Sequence, residues 1–271
     1  MKTKVLITVK TYPTLSRKYG ELVCTAGLRE DGSWIRIYPV PYRSMEFYTR
    51  YKKYQWIELD LVRNTQDPRL ETYRPVKFPP EVELGDVIGT VDPEWSVRRR
   101  LVLKKVYTNL DTLIREAKDM SKITSLATFK PTKILDFKVE KVTSEWKRSA
   151  LERFSQTDLF DDPKALKDYA SKLPYKFSYF FEDDSGKQST LMIEDWEIGA
   201  LFWKCLESSG GDEDIAIKKV RQKYLDDLAK TKDIYLFLGT TKSNHFRSKN
   251  PFIIIGLFYP NFSLGQFEME M

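Results

Sequence analysis

Three carboxylates crowd the segment Glu194-Asp195-Trp196-Glu197, directly ahead of an apolar run. Asp is a favoured N-cap, and negative charge in a first turn meets the positive end of the helix dipole. Capping alone therefore accounts for these residues. The same geometry also suits chemistry, because a carboxylate held on a buried helix can activate water or stabilise a cationic transition state. Asp195 is the first candidate for such a catalytic role and Glu197 the second, with Trp196 as a pocket wall.

A second group of residues points to binding. The first 53 residues hold 11 Lys and Arg against 4 Asp and Glu, a surplus of seven, while the remaining residues nearly balance. The same segment is dense in aromatics, among them Tyr12, Trp34, Tyr38, Tyr42, Tyr48, Tyr51 and Tyr54. Cations attract a phosphate backbone, and flat rings stack on exposed bases. Lys10, Thr11, Tyr12, Arg36, Tyr38, Arg43 and Lys53 are read as a substrate-binding face, with an ordinary solvated sheet as the plain alternative. Nucleic acid, with DNA foremost, is the expected partner.

Two turns add polar groups. Gly239-Thr240-Thr241, followed by Ser243, Asn244 and His245, ends a hydrophobic strand and offers N–H groups and hydroxyls to a phosphate or a base edge. Asp67-Pro68-Arg69 with Glu71 reads as a pocket rim or as a local ion pair that pins a loop. Neither a Walker A lysine spacing nor G-x-G-x-x-G occurs, so no nucleotide cofactor is expected. The single histidine and two cysteines, Cys24 and Cys205, argue against a zinc site. No cofactor and no metal are expected.

The elements that must position these residues point to an α+β fold. KVLITVK alternates, with Val5, Ile7 and Val9 on one face, and Asp31-Gly32 marks a hairpin between ELVCTAGL and SWIRIYPV. Trp34, Arg36 and Tyr38 then face one way, and Ile35, Ile37 and Cys24 face the core. Several short strands within about 60 residues suggest a small β-barrel or a twisted antiparallel sheet. Residues 63–100 read as a long proline-rich crossing, and 95–120 as a helix with Leu101, Leu110, Leu113 and Ile114. KILDFKVEKV is a further strand. A mixed α/β layer follows, with YKFSYFF and STLMI as a hairpin and IEDWEIGALFWKCLES as a buried helix stopped at Gly210-Gly211. The expected division is a basic β-rich region at 1–143, a helical linker or insertion at 144–173 broken at Asp161-Asp162-Pro163, and a pocket-forming region at 174–271. One continuous domain is the alternative. No run of 18 apolar residues exists, and the basic start is too short in its apolar core for a signal peptide, so a cytoplasmic protein with reduced cysteines is expected.

The strings VKTYPTLSRKYGELVCTAG, SWIRIYPVPYR, KKYQWIEL and LFLGTTKSNHF with PFIIIGLFYP resemble a family of poorly characterised bacterial proteins tied to mobile elements and phage defence. Within that group the resemblance reaches the phage-defence DNA glycosylases that remove a glucosylated hydroxymethylcytosine. No functional residue is carried over from them. The resemblance implies a metal-independent DNA glycosylase that flips and excises a modified base, and Asp195 fits the carboxylate such chemistry needs. A non-catalytic reader of modified DNA or RNA is the first alternative, and a carboxylate- and metal-dependent nuclease is the second.

Overall fold

Seven short strands fill the first 87 residues of the computed structural model, which describes residues 2–16, 20–144, 146 and 170–262. They are β1 (Lys2–Lys10), β2 (Thr14–Ser16), β3 (Gly20–Leu28), β4 (Trp34–Val40), β5 (Gln55–Arg63), β6 (Thr72–Pro75) and β7 (Glu83–Val87). The sheet runs β1-β3-β4-β6-β5-β7, with β2 on β3. Antiparallel pairing of β1 with β5, from Lys2 opposite Asp60 to Leu6 opposite Trp56, brings the sheet back on itself. Five strands thereby close into a small barrel, which removes the open edges a sheet of this size would otherwise expose. Val5, Ile7, Ile35, Ile37, Ile57, Leu59 and Tyr51 fill its interior.

The β3–β4 hairpin turns at Asp31-Gly32 as its sequence requires. Gly32 has φ +88°, and Asp31 Oδ1 accepts from the Ser33 N–H at 2.8 Å. The alternation expected along β1 breaks at one point. A register shift between Ile7 and Val9 turns Val9 out of the barrel, against Phe237, Ile255 and Phe258 of the C-terminal half. Cys24 is half-buried rather than in the core, Cys205 is buried, and both thiols are free.

The stretch 95–120 is two helices, not one. Helix α1 (Ser96–Val102) and helix α2 (Leu110–Lys118) flank the short strand β8 (Val106–Tyr107). Asn109 divides them by capping α2, its side chain accepting from Thr112 N–H at 2.9 Å. Strand β9 (Leu126–Phe129) follows, then β10 (Lys133–Lys141), β11 (Tyr175–Glu182), β12 (Gln188–Met192), β13 (Tyr235–Thr240) and β14 (Phe252–Phe258). These form two antiparallel-rich sheets, β10-β11-β12 and β14-β13-β9-β8. Strands β9 and β10 therefore pair with the C-terminal strands β13 and β11, and β8 with β9, so within the described residues the barrel sheet ends before residue 106. Most of the expected linker at 144–173, including Asp161-Asp162-Pro163, lies outside the described residues.

Helix α3 (Trp196–Ser208) packs one stripe inward: Ile198, Gly199, Phe202 and Cys205. That spacing is one helical face. Ala200 and Glu197 stay exposed. Gly210 and Gly211, at φ +63° and +89°, end the segment, and Gly211 N–H returns to the Leu206 carbonyl at 2.9 Å. Helix α4 (Glu213–Arg221) continues into a π-helical stretch, Gln222–Ala229, and both pack on the aromatic core of Phe137, Phe177, Tyr179 and Phe202.

The barrel and the C-terminal layers are stitched together. Tyr12 N–H donates to the Glu194 carbonyl at 3.1 Å, and Thr11 and Asp195 form an isolated β-bridge.

Candidate functional site

That bridge places the end of β1 against the start of α3. Asp195 is the N-cap: its Oδ1 accepts from the Glu197 N–H at 3.3 Å, and the residue is 1% exposed. Its other oxygen, Oδ2, is buried without a hydrogen-bond partner. The nearest cation is Lys53 Nζ at 3.6 Å, which also donates to Glu197 Oε2 at 2.8 Å. Burial pushes the Asp195 carboxyl up to about 7, against the opposing pull of Lys53. Burial works against the Lys53 ammonium too, but its two carboxylate neighbours prevail and hold it charged well above the ordinary lysine range. A carboxyl poised near neutrality beside a permanent cation is the arrangement general acid–base chemistry uses.

Aromatic side chains enclose the group. Lys10 Nζ lies 4.3 Å from the centroid of the Tyr42 ring and 5.7 Å from that of Trp196, and those two rings meet edge to face at 5.6 Å. Tyr54 is held at φ +60°, a conformation costing a non-glycine residue about 1–3 kcal/mol. Its N–H and carbonyl bind Ile7 and Ile88, so the turn that delivers the adjacent Lys53 to α3 is clamped from both sides. The Tyr54 hydroxyl is buried without a partner, and the Arg98 guanidinium lies 3.9 Å from its ring centroid. Tyr54 and Tyr259 are both raised by burial.

Beside this cluster a pocket of about 300 Å³ opens between Tyr12, Arg43, Trp196, Ala200 and Trp203. Tyr12 is fixed in place: it accepts from Trp203 Nε1 at 2.8 Å and donates to the Ser171 carbonyl at 2.7 Å. Gly199 makes room for its ring, since a Cβ there would stand 2.2 Å from two Tyr12 ring carbons. A larger cleft of about 610 Å³ lies along Tyr12, Trp146, Tyr175 and Glu194. Burial raises the Glu194 carboxyl.

Of the residues singled out from sequence, Asp195, Trp196, Glu197, Lys10, Thr11, Tyr12 and Lys53 come together here, with Arg43 at the pocket. The rest do not form an open basic face. Arg36 is 3% exposed and donates to Thr72 Oγ1 at 3.1 Å, Ser125 Oγ at 2.9 Å, and the Ser125 and Thr240 carbonyls at 3.1 and 3.4 Å. It fastens the barrel to the end of β13. Tyr38 is half-buried on β4. Arg43 pairs with Glu21 at 2.7 Å, Lys2 with Glu83 at 2.6 Å and Lys4 with Glu30 at 2.8 Å. The basic surplus is thus largely turned onto the protein's own acids and carbonyls.

The Gly239-Thr240 turn is likewise occupied internally. Arg69, paired with Asp67 at 2.6 Å, donates to the Thr240 carbonyl, and Thr240 Oγ1 bonds His245 Nδ1 at 2.9 Å. Gly239 is packed against the Ile255 side chain. His245 is fully buried and lowered by burial, hence neutral at pH 7. This turn is a structural junction rather than an open anion site. Sequence reasoning had no means of finding Arg98 or Tyr259. Tyr42, Tyr51 and Tyr54 stood among the noted aromatics, but nothing local separated them from core tyrosines. Among the described residues, no group of three or more His, Cys, Asp or Glu is placed to hold a metal.

Residues 1–104 match a family model described as a domain of unknown function, DUF8758. A comparison with curated proteins finds no match. Residues 106–270, more than half of the chain and the part that carries Asp195, match a second such model, and the chain belongs to this family, the domain of unknown function DUF8757.

Proposed function

We propose that the protein is a metal-independent DNA glycosylase acting on a modified base. The observation that carries this reading is Asp195: a buried carboxyl with one unpartnered oxygen, raised to about 7, held by Lys53 beside an aromatic pocket. Breaking an N-glycosidic bond builds positive charge on the sugar, and carboxylates stabilise it and orient the attacking water. Glu197, 46% exposed at its side chain, is the carboxylate a nucleotide meets first. Asp195 lies behind it, and Lys53 holds the two together. An extruded base stacks on Trp196, Trp203 and Tyr12, while Arg43 takes a flanking phosphate. The pocket volume suits a base with room for a substituent, in keeping with the resemblance to glycosylases of modified cytosine.

The test is base release. Purified protein is incubated with hydroxymethylcytosine-containing phage DNA, glucosylated and not, and abasic sites are counted by alkaline cleavage. Base release that Glu197→Gln and Asp195→Asn each lower at least a hundredfold supports the assignment. Tight binding of the modified DNA without any abasic site sinks it. One observation favours the second reading, a non-catalytic reader of modified nucleic acid: Asp195 does not line the pocket, whose lining includes Tyr12, Trp196, Trp203, Ala200 and Arg43 but no carboxylate. In that case Asp195→Asn leaves binding and function unchanged, whereas Arg43→Glu abolishes them.

A further inference from the structure

The two lysines of this site are bonded in opposite ways. Lys53 is shared between two carboxylates. Lys10, on β1, has no carboxylate within 4 Å among the described residues. Its Nζ donates at 3.0 Å to the Tyr42 hydroxyl and at 3.4 Å to the Tyr51 carbonyl, both neutral acceptors. The Tyr42 hydroxyl spends its own proton on that same Tyr51 carbonyl at 2.6 Å. It therefore accepts from Lys10 and does not donate to it, so neither neighbour competes for the lone pair of a neutral Lys10 amine. Burial lowers this ammonium to about 8; the negative charges of Glu197 and Asp195 oppose that shift, and the charge of Lys53 acts with it. A desolvated amine next to a second cation is the setting in which lysine serves as a nucleophile toward carbonyl carbon.

Resting on the base-excision reading above, we propose that Lys10 forms a covalent imine with the C1′ aldehyde of an abasic deoxyribose. Loss of a base leaves a sugar in equilibrium with its open-chain aldehyde. The neutral Lys10 Nζ adds to the aldehyde carbon and a C–N bond forms. The former carbonyl oxygen takes up two protons, one from the nitrogen and one from solvent, and leaves as water. The product is a protonated imine. Carbon keeps its oxidation level, so no metal, oxidant or reductant takes part. The Trp196 and Tyr42 rings near Nζ exclude water from the adduct, and the imine would keep the abasic product bound until hydrolysis.

The experiment uses the full chain and an oligonucleotide duplex carrying one preformed abasic site, with sodium borohydride present. Reduction converts the imine to a secondary amine that survives denaturing electrophoresis. Wild-type protein is expected to give a cross-linked band whose yield rises as pH is raised from 6 to 8, and peptide mass mapping is expected to place it on Lys10. Lys10→Arg keeps a cation over Tyr42 but not the nucleophile, and is expected to lower trapping at least tenfold. Lys52→Arg, at an exposed neighbour, is expected to leave trapping unchanged. No cross-link with wild type, or a cross-link that maps to another lysine, overturns the proposal. Mapping needs no variant, so it decides the matter even if Lys10→Arg fails to fold. Because the abasic site is supplied ready-made, a Lys10 adduct without any base release would sink the glycosylase assignment alone. Base release without an adduct would sink this inference alone.

Discussion

Replacing Asp195 by Asn isolates the charge of the buried carboxyl from its capping role. Asn is as good an N-cap as Asp, and its side-chain oxygen can take the same bond from the Glu197 N–H. In the wild type the folded protein holds this carboxyl at about 7, against about 3.9 for an unfolded aspartate. A group raised in the folded state helps most below its unfolded value. Its contribution is then lost as pH climbs through the folded value. Asp195 ionisation therefore destabilises the wild type progressively between about pH 4 and pH 7. The full loss is about 4 kcal/mol, at about 1.4 kcal/mol per tenfold change in proton affinity. The attraction of Lys53 is already included in the folded value. The amide introduced by Asp195→Asn would not titrate, and groups remote from it contribute equally to both proteins, while Lys10 and Lys53, which feel the Asp195 charge, are held in their charged forms less firmly in the variant. The placement of the amide beside Lys53 adds a constant offset that does not vary with pH. Urea denaturation followed by tryptophan fluorescence at pH 4 through 8 is the assay, since urea leaves charges unscreened. The difference in unfolding free energy between variant and wild type is expected to widen in favour of the variant by about 4 kcal/mol from pH 4 to pH 8. That corresponds to a melting-temperature difference on the order of 10 °C in a chain of this size. Curves that run parallel to within about 1 kcal/mol would refute the claim that Asp195 is a desolvated, titrating group.

Gly199→Ala is expected to cost about 1–3 kcal/mol in denaturant melts, because its Cβ would overlap the Tyr12 ring, whose hydroxyl is bonded on both sides. The same variant should alter Trp203 fluorescence as the Tyr12 bond is displaced. Arg36→Met should destabilise by about 3 kcal/mol or more, since it removes four hydrogen bonds from a buried guanidinium, even with Arg69 still serving the Thr240 carbonyl and the Thr240 N–H still serving the Ser125 carbonyl. A surface role for Arg36 predicts instead unchanged stability and weaker nucleic-acid binding. Phe47 and Tyr48, 84% and 76% exposed, should tolerate joint replacement by Ala within about 0.5 kcal/mol of stability. If they stack on bases, affinity for single-stranded DNA falls by about tenfold or more in fluorescence anisotropy.

Much of the local architecture was legible in the residues. Asp31-Gly32 marks its hairpin, Gly210-Gly211 ends α3, and Asp195 caps it, because turn and cap chemistry acts across at most a few residues. The split of 95–120 into two helices was missed for the same kind of reason. The apolar positions keep helical spacing throughout, and only the Asn109 cap and the pairing of β8 with β9 interrupt it. The outward turn of Val9 escaped because a bulge depends on the partner strand and leaves no mark in its own alternation.

The amino-acid order alone determined that seven surplus cations and many rings lie in the first fifth of the chain, and that carboxylates gather at one helix start. It did not determine where those charges point. Arg36 alternates on its strand like a surface residue, yet it is buried because a second sheet covers that side of the barrel. Lys53 meets Asp195 only because the barrel closes through β1 and β5 and the end of β1 bridges to α3. An ion pair's worth, and a carboxyl's affinity for protons, depend on separation and on how much water remains. Both are properties of packing between distant segments, so only the tertiary structure turned a charge count into a buried lysine–carboxylate site.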